Sequence, residues 1–313
     1  LFHKLQEAGA SIMSIYARIA DIFKTLGGQD AAFAKGLTVT APADGSMTAE
    51  LATDTQATID AKVKKAHAAQ QRFAALTRAQ RARAVEAYAA ALKAQREALA
   101  AVIHIEAGKT PKEAQGEADG SSDVLLKAIK DSTLADLGNM QRVKERPPVG
   151  VVGLITSFNF PMVVAHWTAG AALLAGNGIV WKPSEKTPLS ALACKAVWDE
   201  AMPEYADLLQ VVIGLRDVGE MLVAHEGIDM ISATGSVGMG KGIEATLAKK
   251  QNHSAPSILE LGGNNGVIIS GKMSPEHLEW SVKALFNSYL GTTGQRCTNT
   301  RRLIVHQSVL EQV

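Results

Sequence analysis

Cysteine is nearly missing from this chain: Cys194 and Cys297 are the only two among 313 residues. Two thiols cannot make the disulfide framework of a small secreted domain, and no secretory leader pattern accompanies them, so the expected compartment is reducing and cytoplasmic. An excess of either charge is missing too. With 32 Lys and Arg against 31 Asp and Glu, the formal net charge is +1, and no long-range field favours nucleic acid or an anionic membrane surface. Long apolar runs are absent as well: a stretch such as VVAHWTAGAALLAG (163–176) contains His166 and falls short of the roughly 20 residues a membrane span needs. The eight histidines show no metal-ligand spacing, and HEGID from His225 lacks the second histidine of a zinc protease, so no metal is expected. What remains is 47% apolar and 20% charged residues over a length suited to roughly two soluble domains.

The chain opens on Leu1, and Met13 begins a more natural start whose Ile15, Ile19 and Phe23 share one helical face. Residues 1–12 are expected to be spurious or upstream sequence, and 1–36 to form an N-terminal helical segment. At the far end SVLEQV (308–313) stops in what reads as the first turns of a helix, without a cap; the expectation is a fragment.

Residues 57–75 and 78–105 read as alanine-rich scaffold helices, the second opening on Thr77 and Gln80 at capping-box spacing. An irregular segment (108–123) and a polar strand-like stretch (139–148) are expected next, with 124–148 contributing to oligomerisation. From Val149 short apolar runs alternate with helical patterns: 149–156, 178–182, 208–214, 228–234 and 257–263. That alternation predicts an α/β fold with a Rossmann-like parallel sheet covered on both faces, a dinucleotide-binding domain over 37–262. A second α/β domain begins at 263, with strands at 264–270 and 300–306 around a helix from Ser274-Pro275 carrying Leu278, Val282, Leu285 and Tyr289 on one stripe.

Ligands of such a sheet bind at the carboxyl ends of its strands. Asn159, in FNFP (158–161), follows the first; Lys182 and Glu185, in WKPSEKTP (181–188), follow the second; Glu260, in ILELGGNNG (258–266), lies near the end of the last. GSVGMGKG (235–242) resembles a P-loop but has Gly242 where Ser or Thr must hold magnesium, and its glycines do not fall as GxGxxG. It still offers bare amides at a helix start to an anion such as a pyrophosphate, or else is a plain tight turn. A carboxylate at Glu185 would accept from ribose hydroxyls and repel a 2′-phosphate, which favours NAD over NADP; its alternative is a solvated side chain. Asn159 is either an oxyanion donor or an ordinary asparagine turn. Glu260, between Leu259 and Leu261, is expected to be buried and thereby tuned as a general base. Cys297, with Arg296 before it in GTTGQRCTNTRR (291–302), reads as an activated thiol or as a small buried hydrophobe, while Cys194 among alanines and leucine reads as core.

With FNFP, WKPSEKTP, ATGSVGMGK, LELGG and GQRC in this order, the chain from Thr40 onward resembles the NAD(P)-dependent aldehyde dehydrogenase superfamily. The resemblance implies that Cys297 attacks an aldehyde, Asn159 and the Cys297 amide hold the oxyanion, and Glu260 activates the water that releases the acid. It further implies a cofactor site at Ile155, Thr156, Lys182, Glu185, Gly214, Gly235, Ser236, Gly240 and Leu261, and a homo-oligomeric whole protein. ELGGNN and GQRCTNTRRL look most like the antiquitin-like branch, which oxidises α-aminoadipic semialdehyde and whose substrate-binding arginine would be Arg296. Gly120 stands where that branch has a glutamate, and Val237 and Gly238 replace the usual polar pair of the cofactor turn. Since the family continues well beyond the nucleophile, residues 263–313 are expected to be the first part of a catalytic domain, and the 313-residue polypeptide is expected to be unstable and inactive alone. The competing readings are a non-catalytic NAD-binding or structural fragment, a CoA-acylating relative, and, more distantly, a P-loop NTPase.

Overall fold

The computed structural model describes residues 15–26, 33–137, 147–250 and 255–313. The proposed start at Met13 and residues 139–146 of the strand-like stretch lie outside the described residues. A helix α1 (Ile15–Thr25) buries Ile19 and Phe23, as their spacing requires. An antiparallel pair follows, β1 (Phe33–Thr40) with β2 (Met47–Leu51), so the boundary expected at residue 36 falls inside a strand.

Helices α2 (Gln56–Ala74) and α3 (Arg78–Ala94) each open on a reciprocal capping box, Thr55 with Thr58 and Thr77 with Gln80. The scaffold helix expected over 78–105 is two: at Gln95 φ −96° and ψ 13° leave the helical region, and α4 (Arg96–Ala107) restarts and ends on Gly108 at φ 68°. The segment expected to be irregular is helical from Pro111, as are residues 124–137 of the 124–148 segment expected to contribute to oligomerisation. Both lie in α5 (Pro111–Leu137). Proline at the first helical position loses no bond, and the internal serines find partners: Ser121 Oγ donates to Glu117 O and Ser122 Oγ to Ala89 O of α3. Gly120 lies against Val163, a Cβ there meeting its Cγ2 at 3.5 Å.

Five parallel strands form the central sheet: β3 (Val151–Ile155), β4 (Gly178–Lys182), β5 (Leu209–Val211), β6 (Met230–Gly235) and β7 (Ser257–Leu261), in the order β5-β4-β3-β6-β7. They alternate with α6 (Val163–Leu174), α7 (Pro188–Ala201), α8 (Arg216–Ala224) and α9 (Val237–Leu247). The period of two splits β3 cleanly. Val152 and Leu154 join one core with α3 to α7, and Val151 and Ile155 join another with α2, α8 and α9. Among the described residues no helix is long and apolar enough to cross a membrane.

One buried polar group in the first core carries a pH consequence. His166 of α6 shares a 2.9 Å hydrogen bond between its Nε2 and the Tyr88 hydroxyl, and burial pulls its pKa down to about 4. A depressed pKa makes a contribution that is complete above the unfolded value near 6.5 and lost as pH falls through 4. His166 is therefore expected to withdraw about 3 kcal/mol of stability across that window. Denaturant unfolding at a series of pH values should show a shallower acid limb for His166→Gln; an unchanged slope would exclude the linkage.

The C-terminal residues build a small β-α-β unit. Strands β8 (Asn265–Ile269) and β9 (Thr300–Val305) pair in parallel around α10 (Pro275–Leu290), which Ser274 caps. Of the expected stripe, Leu278 is buried, Val282 and Leu285 are half-buried and Tyr289 is exposed. A short 3-10 turn (Gly291–Gly294) joins α10 to the segment bearing Cys297, and residues 307–312 form another.

Candidate active site

In the sheet order β3 lies between β4 and β6, so successive crossovers leave it in opposite directions and a crevice opens at the carboxyl ends of β3 and β6. Ile155 closes β3 and pairs with Lys182 at the end of β4; Thr156 N donates to Lys182 O at 3.2 Å, and Thr156 Oγ1 accepts from Trp181 Nε1 at 2.9 Å. Lys182 is buried, its Nζ donating to Pro183 O at 3.0 Å; burial pulls its pKa below the usual lysine range, while the half-buried Glu185 and the exposed Asp217 oppose this. Gly214 lies just past β5 under Val218, whose Cγ2 a Cβ would strike at 2.3 Å.

On the other flank, Gly235 ends β6 in register with Leu261 of β7, and Gly262 N donates to Gly235 O at 3.0 Å. Ser236 caps α9, its Oγ accepting from Met239 N at 3.1 Å, and by helix geometry the amides of Val237 and Gly238 have no intrahelical acceptor. Gly240 lets α9 lie on the end of β7: a Cβ there would sit 2.7 Å from Leu261 Cδ1. All nine residues expected around a cofactor thus lie along the carboxyl edge of the sheet.

Asn159 lies in the irregular turn between β3 and α6. Ser157 Oγ donates to its Oδ1 at 2.7 Å, and its Nδ2 donates at 2.7 Å to the carbonyl of Gln295, two residues before Cys297. Cys297 is the exposed cysteine, whereas burial pushes the Cys194 thiol well above its usual range. The Cys297 carbonyl accepts from Asn265 Nδ2 at 2.7 Å. The sheet edge and the loop bearing Cys297 are therefore joined through the carboxamide expected to serve the oxyanion.

The approach to Cys297 is strained. Thr292 and Thr293 have φ 55° and 53°, a left-handed conformation that β-branched residues avoid and that costs of order 1–3 kcal/mol per residue. The surroundings hold it. Glu113 Oε1 accepts from Thr292 N at 2.5 Å, Arg296 Nε donates to Thr292 Oγ1 at 3.1 Å, and Gln295 Nε2 donates to Ala107 O at 3.0 Å. Behind Asn159 lies a buried ion pair: Lys109 Nζ is 2.5 Å from Glu117 Oε2 and 3.7 Å from the centre of the Phe160 ring. The other oxygen of Glu117 accepts from Met162 N and Val163 N at the start of α6.

A family profile described as the aldehyde dehydrogenase family matches residues 29–313. This chain belongs to the aldehyde dehydrogenase family. The 3,6-anhydro-alpha-L-galactose dehydrogenase of Streptomyces coelicolor is 33% identical over 306 residues, covering 92% of this chain and 60% of the relative. The alpha-aminoadipic semialdehyde dehydrogenase of Bos taurus is 31% identical over 291 residues, covering 88% and 52%. The structure of an NADP-dependent glyceraldehyde-3-phosphate dehydrogenase from Bacillus halodurans complexed with NADP superposes with a TM-score of 0.78 at 28% identity, covering 88% of this chain and 59% of that one. This aldehyde dehydrogenase chain thus spans 52–60% of the length of these relatives. A structural neighbour that holds NADP removes the ground for ranking NADP below NAD.

One expectation for this site needs correction. Glu260, expected to be buried, is exposed, because β7 is the edge strand of the sheet and only Leu259 of its central residues packs on the core. Arg296 is exposed as well and spends its Nε on Thr292. The residues that sequence reasoning missed are Glu113, Gln295, Asn265, Lys109 and Glu117. One signal was available: Thr110 and Glu113 have capping-box spacing, and they do exchange hydrogen bonds at the start of α5.

Proposed function

We propose that this chain carries the dinucleotide-binding edge and the nucleophile of an aldehyde dehydrogenase that converts an aldehyde to its carboxylate through a thiohemiacetal and a thioester on Cys297. The observation that carries the reading is the hydrogen bond from Asn159 Nδ2 to Gln295 O, which ties the sheet edge to the loop of the exposed cysteine. A carboxamide nitrogen has two N–H groups, so one remains for a ligand. The thiolate of Cys297 attacks the carbonyl carbon, a C–S bond forms, and the oxygen takes the π pair. Asn159 and the Cys297 amide donate to that oxygen. Preorganised donors of this kind are worth about 2.7–4 kcal/mol each. Glu260 then takes a proton from the water that attacks the thioester; the C–S bond breaks, the acid leaves and the thiolate is restored. The exposure of Glu260 suits a base that must reach water.

A bound nicotinamide dinucleotide, NAD or NADP, supplies the oxidant by accepting hydride from the carbon attached to sulfur. Its fit is supported by the free first-turn amides of α9 beside Gly235 and Ser236, which suit a pyrophosphate, and by Lys182 and Glu185, which suit ribose hydroxyls. Ile155, Thr156, Gly214, Gly240 and Leu261 shape the remainder of the edge. For the substrate we extend the proposal to an aldehyde bearing a carboxylate, since Arg296 is exposed and has guanidinium N–H groups beyond the Nε used on Thr292. The likeness to a semialdehyde dehydrogenase supports this class; Gly120, packed against Val163, supplies no carboxylate for an amino group.

Stopped-flow measurement of Glu260→Gln tests the cycle. Loss of the water-activating base is expected to lower steady-state turnover about 10²-fold while leaving a first burst of reduced dinucleotide near one equivalent per site. Restoration of turnover by CoA at wild-type rate would instead favour the acylating relative, and absence of any burst in the wild type across an aldehyde panel would defeat the reading.

A further inference from the structure

The loop bearing Cys297 is held from a direction its own sequence does not disclose. Glu113 lies in the first turn of α5, and its carboxylate is oriented before the loop reaches it. Oε2 accepts from Thr110 N at 3.2 Å and Thr110 Oγ1 at 2.8 Å, which aims Oε1 at the amide of Thr292. Thr292 is buried, so without this acceptor its N–H would be taken from water with nothing in return. Three bonds carry the placement of Thr292 toward the thiol. Gln295 N donates to Thr292 O at 3.0 Å, Arg296 Nε donates to Thr292 Oγ1, and the Gln295 carbonyl is the acceptor for Asn159. Movement at Thr292 thus moves the group that Asn159 grips and the residue next to Cys297.

We propose that Glu113 is a positioning residue for Cys297: it holds the left-handed Thr292-Thr293 step through the Thr292 amide, and thereby sets the thiol against the Asn159 carboxamide. The proposal rests on the reading of Cys297 as the nucleophile. It predicts that the hydrogen-bond acceptor, not the negative charge, is the property that matters. It also predicts that relieving the strain at position 293 lessens the dependence on Glu113, because glycine takes a positive φ without steric cost.

Two measurements test it in the purified protein, amide hydrogen exchange of residues 291–298 and the rate of Cys297 alkylation by iodoacetamide across pH. Glu113→Ala is expected to speed exchange in that segment by about tenfold or more. It should also change the alkylation rate by about threefold or more and displace its pH midpoint, because both depend on the placement of the thiol. Glu113→Gln keeps an oxygen for Thr292 and should return both readouts to within about twofold of the wild type. Adding Thr293→Gly to Glu113→Ala should slow exchange back toward the wild-type value. Wild-type exchange and alkylation in Glu113→Ala would overturn the proposal, as would a Glu113→Gln as impaired as the alanine variant. If Glu113→Ala does not fold, the double variant decides: recovery of a folded chain with slow exchange supports the role, and no recovery overturns it. Failure of the underlying reading looks different. Wild-type Cys297 would then react no faster than a simple thiol at the same pH, whatever the exchange at Thr292.

Discussion

Cys297→Ala is expected to lower aldehyde-dependent dinucleotide reduction by at least about 10³-fold while leaving dinucleotide affinity within about twofold, because a nucleophile that forms the intermediate has no substitute in its own site. The geometry explains why the two effects should separate. The residues suited to the dinucleotide lie at the ends of β3, β4, β6 and β7, whereas Cys297 lies in the β-α-β unit and meets that edge through the Asn159–Gln295 bond. Removing one Sγ leaves that bond and the Asn265 bond to the 297 carbonyl in place, since both end on backbone oxygen. Fluorescence titration with NAD and NADP beside steady-state rates measures both quantities. Residual turnover above about a tenth of the wild type would remove Cys297 from the mechanism.

The second large effect concerns stability. Lys109 and Glu117 are both almost wholly inaccessible to water, and Glu117 also satisfies the Met162 and Val163 amides. Truncating Glu117 to alanine leaves a buried ammonium without its partner and uncaps α6, and the expected cost is about 3–5 kcal/mol. Replacing both partners together, Lys109→Met with Glu117→Leu, removes the orphaned charge and should recover part of that loss. Urea unfolding gives the comparison. A Glu117→Ala midpoint equal to that of the wild type would show the pair to be dispensable, and a double variant no more stable than the single would show that the uncapped amides, lost in both, dominate.

The sheet was legible because strands buried on both faces are written as continuous apolar runs: GIVWK, buried throughout, is β4 residue for residue. The helix α5 was not. Its glycines, serines and aspartates are loop formers by composition, and they are helical here because Ser121 and Ser122 donate to backbone carbonyls and Gly120 admits Val163. The split at Gln95 has no composition signal at all, since both flanks are alanine-rich. Within the site, positions along the sheet edge could be read from strand ends, because the chain itself delivers those residues. Glu113 and Glu117 reach the site from α5 and Lys109 from the turn before it, far away in sequence, and their roles depend on docking that no local pattern encodes. The expected burial of Glu260 failed for a related reason: apolar neighbours along a strand do not say which strand ends up at the edge.

The two internal carboxyl groups have a consequence for where an anion can settle. Three helices start beyond β3, β4 and β6, at the carboxyl edge of the sheet. At α7 nothing is left to offer: Pro188 has no N–H, and Glu106 accepts from Leu189 N at 2.5 Å and Ser190 N at 2.8 Å. At α6 Glu117 already occupies the first two donors. At α9, closed by a single neutral hydroxyl, the amides of Val237 and Gly238 have no intrahelical acceptor. The protein's own carboxylates thus already engage opening amides at α6 and α7, whereas the opening of α9 has no carboxylate on it.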